Sequence, residues 1–165
     1  GLSSIGGLLI ATIAFILYLN ISGNIFRWRA FGDSLMQGFI VGWAFGRLAC
    51  SLVHDHPGQY SDFFLAIQYP EGSRHDLGFY EFLFTLLVLL PLSYLIHKKR
   101  FTAGSQLIMF CLLYSLFRFP ADFLRVSDAQ YYGLTPAQYG CIGLLLLAGL
   151  IAYYLPRKTA GIVTN

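Results

Sequence analysis

Apolar residues run through this chain in five long blocks, near residues 2–20, 32–54, 78–97, 104–124 and 136–155. Each is long enough, or nearly so, to cross a bilayer as a helix, which takes roughly 20 residues. The pattern predicts an all-α, polytopic membrane protein of about five transmembrane helices, one domain over residues 1–165. Between the second and third blocks lies a loop of about twenty residues, 56–76, longer than a simple connection. It contains SDFFLAIQY, whose aromatics suit a membrane interface or a short strand. Asp76 closes this loop in position to be the N-cap of the third span. The fifth block is plain apolar helix, with Gly140, Gly143 and Gly149 available for packing. No low-complexity segment, clear internal repeat or soluble domain interrupts the series.

Composition agrees with the pattern. Of 165 residues, 56% are hydrophobic and 12% charged, whereas soluble domains carry about 25% charged residues. The net charge of +3 implies no nucleic-acid partner; in a membrane it is the placement of Lys and Arg that counts. Arg27 and Arg29 lie between the first two blocks, Lys98, Lys99 and Arg100 between the third and fourth, and Arg157 and Lys158 after the fifth. All three clusters fall on one side of the predicted topology, which makes that side cytoplasmic and places loop 56–76 outside. The chain opens at Gly1 without Met, and its first block lacks a basic flank, so it reads as a span rather than a signal peptide, with part of the N-terminus missing. Cys50, Cys111 and Cys141 each sit in an apolar run; they are read as small buried hydrophobes, with no disulfide assigned.

Those clusters account for seven of the eleven Lys and Arg residues and leave Arg47, Arg74, Arg118 and Arg125 in or near the outer half. A guanidinium in a membrane helix costs about 2.5–3.5 kcal/mol on insertion scales, so such a residue marks a site. Arg47 stands in GFIVGWAFGRLACSLVHDHPG, residues 38–58, where Gly38, Gly42 and Gly46 also form a strip for close helix approach. His54 follows Arg47 by nearly two helical turns, on the same face and about 10 Å along the axis. Pro57 pushes His56 out of helical conformation, so the helix should end where the imidazoles begin. Glu81, one turn into the third block beside Tyr80, needs a cation or a wet cavity to face. In the fourth block Tyr114, Arg118, Asp122 and Arg125 are spaced by four, four and three, which aligns them as a polar stripe. An Arg118–Asp122 structural ion pair is the plainer reading. Pro120 should interrupt the helix there and kink it.

Four segments together resemble the prolipoprotein diacylglyceryl transferases of bacterial inner membranes. Gly-Leu-Ser-Ser-Ile-Gly-Gly at 1–7 is similar to that family's His-Gly-Gly segment, and Gly46-Arg47 through Gly58 to its Gly-Arg signature. Arg74-His75 to Tyr80-Glu81 resembles its Arg-His-Pro-Ser-Gln-Leu-Tyr-Glu block; Tyr114 to Arg125, with Asp128 and Gly133-Leu-Thr-Pro-Ala-Gln138, resembles its last motif. The resemblance implies a seven-helix fold, with about two helices ahead of Gly1, in the cytoplasmic (inner) membrane with its active site toward the outer face. It also implies transfer of a diacylglyceryl group from phosphatidylglycerol, or a related anionic phospholipid, to a cysteine thiol of a lipoprotein precursor presented on its signal peptide. The family's essential arginines fall on Arg47 and Arg118, its tyrosine on Tyr114 and its glutamate on Glu81, and no cofactor is implied. This chain departs from the pattern at Ile5, where the family has histidine, at Ala49-Cys50 and His54-Asp55-His56, and at Asp76-Leu77-Gly78 in the third block.

Phosphate departure suits paired guanidiniums, which neutralise growing charge through bidentate hydrogen bonds. Arg47 and Arg118 are assigned that role, with Arg125 and His75 beside them in substrate binding. A thiol must become thiolate to attack, and His54 and His56 are the candidates to promote it in place of Ile5, with Glu81 and Tyr114 completing the catalytic set. Two other readings stand beside this one. His54, His56, His75 and a carboxylate could gather a divalent ion for metal-assisted phospholipid hydrolysis. The exchange at Ile5 also fits an inactive relative that binds lipid or a partner.

Overall fold

The computed structural model describes residues 4–24, 27–126 and 130–153. Helix α1 spans Ser4–Ile21 and α2 spans Trp28–Val53. The outer loop holds three strands, β1 Pro57–Tyr60, β2 Ile67–Tyr69 and β3 Gly72–Asp76, before α3, Leu77–Phe84. A π-helical turn, Thr85–Leu89, joins α3 to α4, Leu90–Lys98, in one continuous span. Helix α5 covers Ser105–Ala121 and α6 covers Pro136–Tyr153.

Among the described residues, four helical spans are long and apolar enough to cross a membrane: Trp28–Val53, Leu77–Lys98, Ser105–Leu124 and Pro136–Tyr153. These are the second to fifth predicted blocks. The first carries a shorter apolar helical stretch, Ile10–Ile21. Apolar side chains such as Leu52, Leu87, Leu116 and Leu146 stay exposed on the outside of the bundle, where in a bilayer they meet lipid. The core between the helices is small: Ile40, Leu89, Phe110, Cys111 and Ala148, with Phe39, Phe84 and Leu113 packed against it.

One end of the bundle is tied across its helices. Asp33, near the start of α2, accepts hydrogen bonds from the backbone N–H groups of Gly104 (2.8 Å) and Leu107 (3.2 Å), at the start of α5. A helix leaves its first N–H groups unpaired, and here a neighbouring helix supplies the carboxylate that caps them. The Arg27–Arg29 and Lys98–Arg100 clusters therefore lie at the same end, as the topology requires. Arg157, Lys158 and Asp128 fall outside the described residues.

The glycine strip of α2 has no partner among the described residues. A Cβ placed on Gly38, Gly42 or Gly46 would meet nothing within 4 Å, so the close approach expected there is not made by any described helix.

At the other end the loop folds into an antiparallel sheet of order β1-β3-β2, with Gln68 opposite Ser73 and Tyr60 opposite Arg74. The short-strand reading of SDFFLAIQY holds for Ile67–Tyr69. Gly58 is where the sheet sits down on the bundle. It bridges to Arg125, and an added Cβ would lie 2.8 Å from the Leu124 carbonyl oxygen and 3.0 Å from His75 Cβ. Only a residue without a side chain allows this approach.

Candidate active site

The site is built where α2, α3 and α5 meet below the sheet. Glu81, one turn into α3 and almost wholly buried, projects between two arginines. Arg47 Nε lies 2.6 Å from Glu81 Oε2, and Arg118 Nη1 donates to Glu81 Oε1. Arg118 Nη2 also pairs with Asp122 Oδ1 at 2.8 Å. The two arginines and two carboxylates are formally neutral together, which makes so much buried charge tolerable in an apolar surround. Asp122 Oδ2 accepts from the Thr135 hydroxyl, and Thr135 and Gln138 cap α6 reciprocally: Thr135 N donates to Gln138 Oε1 (2.9 Å) and Gln138 N to Thr135 Oγ1 (3.2 Å). Gln138 Nε2 reaches back to the Phe119 carbonyl at 3.2 Å, beside Pro120. Four helices thus share one polar network.

An aromatic wall stands behind it. The Arg47 guanidinium lies over the Trp43 ring, 4.3 Å from its centroid, and Trp43 meets Tyr114 edge-on at 5.9 Å. Tyr114 stacks on Phe110 at 5.2 Å. Trp43 Nε1 is buried without a hydrogen-bond partner among the described residues, so the wall carries a spare donor. The pair with Glu81 uses Nε of Arg47, which leaves its two terminal amino groups for an anion.

Arg47, Glu81, Tyr114 and Arg118 are therefore brought together, and the expected Arg118–Asp122 pair forms as well. The stripe does not run on to Arg125. The chain passes helically through Pro120 to Ala121, tightens into a 3₁₀ turn over Asp122–Leu124, and Arg125 is extended beside Gly58.

The outer histidines part company. Helix α2 ends at Val53, and His54 takes a left-handed conformation (φ 55°, ψ 39°), its N–H bonding back to the Cys50 carbonyl at 3.0 Å. The helical spacing that would set His54 over Arg47 therefore stops one residue short. Its Nδ1 instead lies 2.7 Å from Asp76 Oδ2. Asp76 is fully buried and joins three elements: it caps α3 by accepting from Phe79 N (2.9 Å), as predicted, and also accepts from the Tyr69 hydroxyl (2.9 Å). Burial first, then this bond to a carboxylate, raises the pKa of Tyr69 above its usual value. His75 Nδ1 bonds the Tyr80 hydroxyl at 2.8 Å, and His56 bonds Asp55. The three histidines do not form one ligand set. The metal-type donors that do come together among the described residues are Cys50, Asp55 and His56.

Two features escaped the reading of the sequence. Trp43 precedes Arg47 by one turn, a spacing that licenses ring-over-guanidinium contact. Thr135-Pro136-Ala137-Gln138 has the form of a capping box with Pro at the first helical position.

The family model described as prolipoprotein diacylglyceryl transferase matches residues 1–154. This chain belongs to that family. Among curated members named phosphatidylglycerol–prolipoprotein diacylglyceryl transferase, one from Dehalococcoides mccartyi strain 195 is 30% identical over 96% of this chain and 62% of its own length. One from Mannheimia succiniciproducens is 29% identical over 98% of this chain and 63% of its own length. One from Pseudomonas aeruginosa PAO1 is 28% identical over 73% of the chain and 48% of its own length. The chain thus spans less than two thirds of the length of these relatives. No solved structure gives a significant match. The transferase family and the apolar helices together make this a multi-pass membrane protein.

Proposed function

We propose that this chain supplies the phospholipid-handling part of a phosphatidylglycerol-dependent diacylglyceryl transferase, whose acceptor is the cysteine thiol of a lipoprotein precursor. The observation that carries this reading is the buried Arg47–Glu81–Arg118 bridge in a member of that family. Glu81 holds the two guanidiniums next to each other on its two oxygens, and paired planar guanidiniums are what a phosphate diester or a departing phosphomonoester needs. The thiolate sulfur attacks the glyceryl carbon that carries the phosphate. A carbon–sulfur bond forms, the carbon–oxygen bond breaks, and its electron pair leaves with glycerol phosphate. Charge grows on the leaving oxygen, and arginines already oriented in a site of low dielectric stabilise it without reorganising.

The lipid's tails need an apolar berth close by. A groove of about 280 Å³, lined by Phe63, Tyr80, Leu83, Leu87 and Phe117, runs down the outside of α3 toward its π-helical turn and suits an acyl chain. The enzyme works in the bacterial inner membrane with the sheet on the outer side, where precursors emerge. Arg27–Arg29 and Lys98–Arg100 support that orientation by the positive-inside rule.

The test is direct. The purified protein is incubated with phosphatidylglycerol, with and without a peptide bearing a lipoprotein-type cysteine, and products are identified by mass spectrometry. A thioether-linked diacylglyceryl peptide with release of glycerol phosphate is expected only when both substrates are present. Lipid hydrolysis without peptide modification would overturn the assignment.

A further inference from the structure

The end of α2 carries a second cluster that the arginine site does not use. Cys50, Asp55 and His56 place one ligand atom each, sulfur, oxygen and nitrogen, within 4.8 Å of one another. They are separated by five and six residues, a spacing at which a continuing helix would spread them around its circumference. The left-handed turn at His54 brings them together, because it reverses the chain over the last turn of α2. That turn is held from outside by the His54–Asp76 contact and from inside by the bond to the Cys50 carbonyl. The backbone turn that gathers the cluster is thus anchored on the buried Asp76, and within the cluster Asp55 and His56 bond each other. Asp55 is exposed and Cys50 and His56 are half-buried, so the group opens outward.

We propose that Cys50, Asp55 and His56 bind a divalent ion of zinc type, whose fourth position takes the thiol of the acceptor cysteine. This rests on the transferase reading above. Thiolate, imidazole and carboxylate are the ligand types zinc accepts, and three protein ligands with one open position distinguish a reactive site from a closed structural one. Metal coordination deprotonates a bound thiol outright, the S–H proton passing to water. Charge completes the argument. Two anionic ligands, Cys50 and Asp55, neutralise the ion, so a second thiolate makes the centre anionic and leaves that sulfur nucleophilic. Cys50 follows Arg47 by three residues, about 4.5 Å along the helix axis, which sets the activated sulfur one turn from the phosphate-binding arginines. The other outer histidines are engaged elsewhere, His54 with Asp76 and His75 with Tyr80.

The experiment titrates the chelator-stripped, purified protein with Co²⁺ and follows its absorption. The parent should bind one Co²⁺ per chain with a thiolate-to-cobalt charge-transfer band. C50S, a near-isosteric change, should lose the band, and H56Q should bind roughly tenfold or more weakly. Adding a peptide with a lipoprotein-type cysteine should intensify the band, while its serine counterpart leaves it unchanged. Equal binding by parent and C50S, or no band in a parent whose circular dichroism is intact, would overturn the site; a band that ignores the cysteine peptide would overturn its role toward the thiol. Thioether formation by the parent is measured in parallel with and without chelator. Turnover that persists in chelator removes the metal and keeps the transferase, whereas cobalt binding without turnover under any condition removes the transferase and keeps the metal.

Discussion

Replacing Glu81 by Gln should expose how this membrane protein tolerates two guanidiniums in an apolar surround, Arg118 buried and Arg47 partly so. The substitution keeps the side chain's shape and one carbonyl acceptor but removes the charge facing both Arg47 and Arg118. The network of two arginines and two carboxylates then passes from neutral to a net charge of about +1 in a surround that hydrates it poorly. Removing one partner of a buried ion pair costs about 3–5 kcal/mol, mostly because the remaining charge is stranded. For a chain of this size that is a fall in melting temperature on the order of 10 °C. The assay is thermal unfolding in a neutral detergent, repeated with phosphatidylglycerol added. An anionic lipid supplies the missing charge, so it should raise the variant's melting temperature more than the parent's. A variant within about 0.5 kcal/mol of the parent in neutral detergent would refute the reasoning, since that is the range of surface substitutions. A lipid-induced shift no larger than the parent's would refute the link between Glu81 and phosphate binding.

Other outcomes follow from the same geometry. Arg47→Lys should abolish most turnover with little change in fold, because an ammonium reproduces neither the fork of donors nor the flat face over Trp43; full activity in a product assay would make Arg47 merely structural. Gly58→Ala should destabilise the protein by about 1–3 kcal/mol in thermal melts, since the new methyl meets backbone at Leu124 and His75 and not a movable side chain. Tyr69 has a raised pKa in the fold, so the unfolded chain loses its proton first; stability is full below the usual tyrosine value near 10 and falls as pH rises above it. Melts across that range should show this alkaline loss reduced in Tyr69→Phe.

The polar residues inside apolar blocks were the most legible part of the sequence. Each of Arg47, Glu81 and Arg118 is too expensive in a membrane to stand alone, and the three answer one another. Asp76 was legible as a cap because capping is local. What it also does, joining Tyr69 and His54 to the head of α3, depends on where a sheet and a helix end meet and left no mark in spacing. His54 shows the limit of periodicity. Counting in steps of 3.6 holds only while the backbone stays helical, and one left-handed residue sends the ring to another partner. The loss of helix at Arg125 has the same origin, since the stripe was extrapolated through the tightening after Pro120. The glycine strip of α2 is legible as a packing surface, yet none of the described helices approaches it.

The π-helical turn at Thr85–Leu89 has a consequence for how the third span can vary. A turn of that kind holds one residue more than the α-helix around it, and Thr85, whose hydroxyl bonds the Glu81 carbonyl at 2.7 Å, sits at its start. The extra residue turns everything beyond it by about 100° relative to α3. It therefore works as a phase shifter between the half of the span that carries Glu81 and the half that packs Leu89 into the core. Substitutions on either side can drift independently, but a one-residue deletion within Thr85–Leu89 would restore a uniform helix and force a choice: keep Glu81 between its arginines, or keep Leu89 in the core.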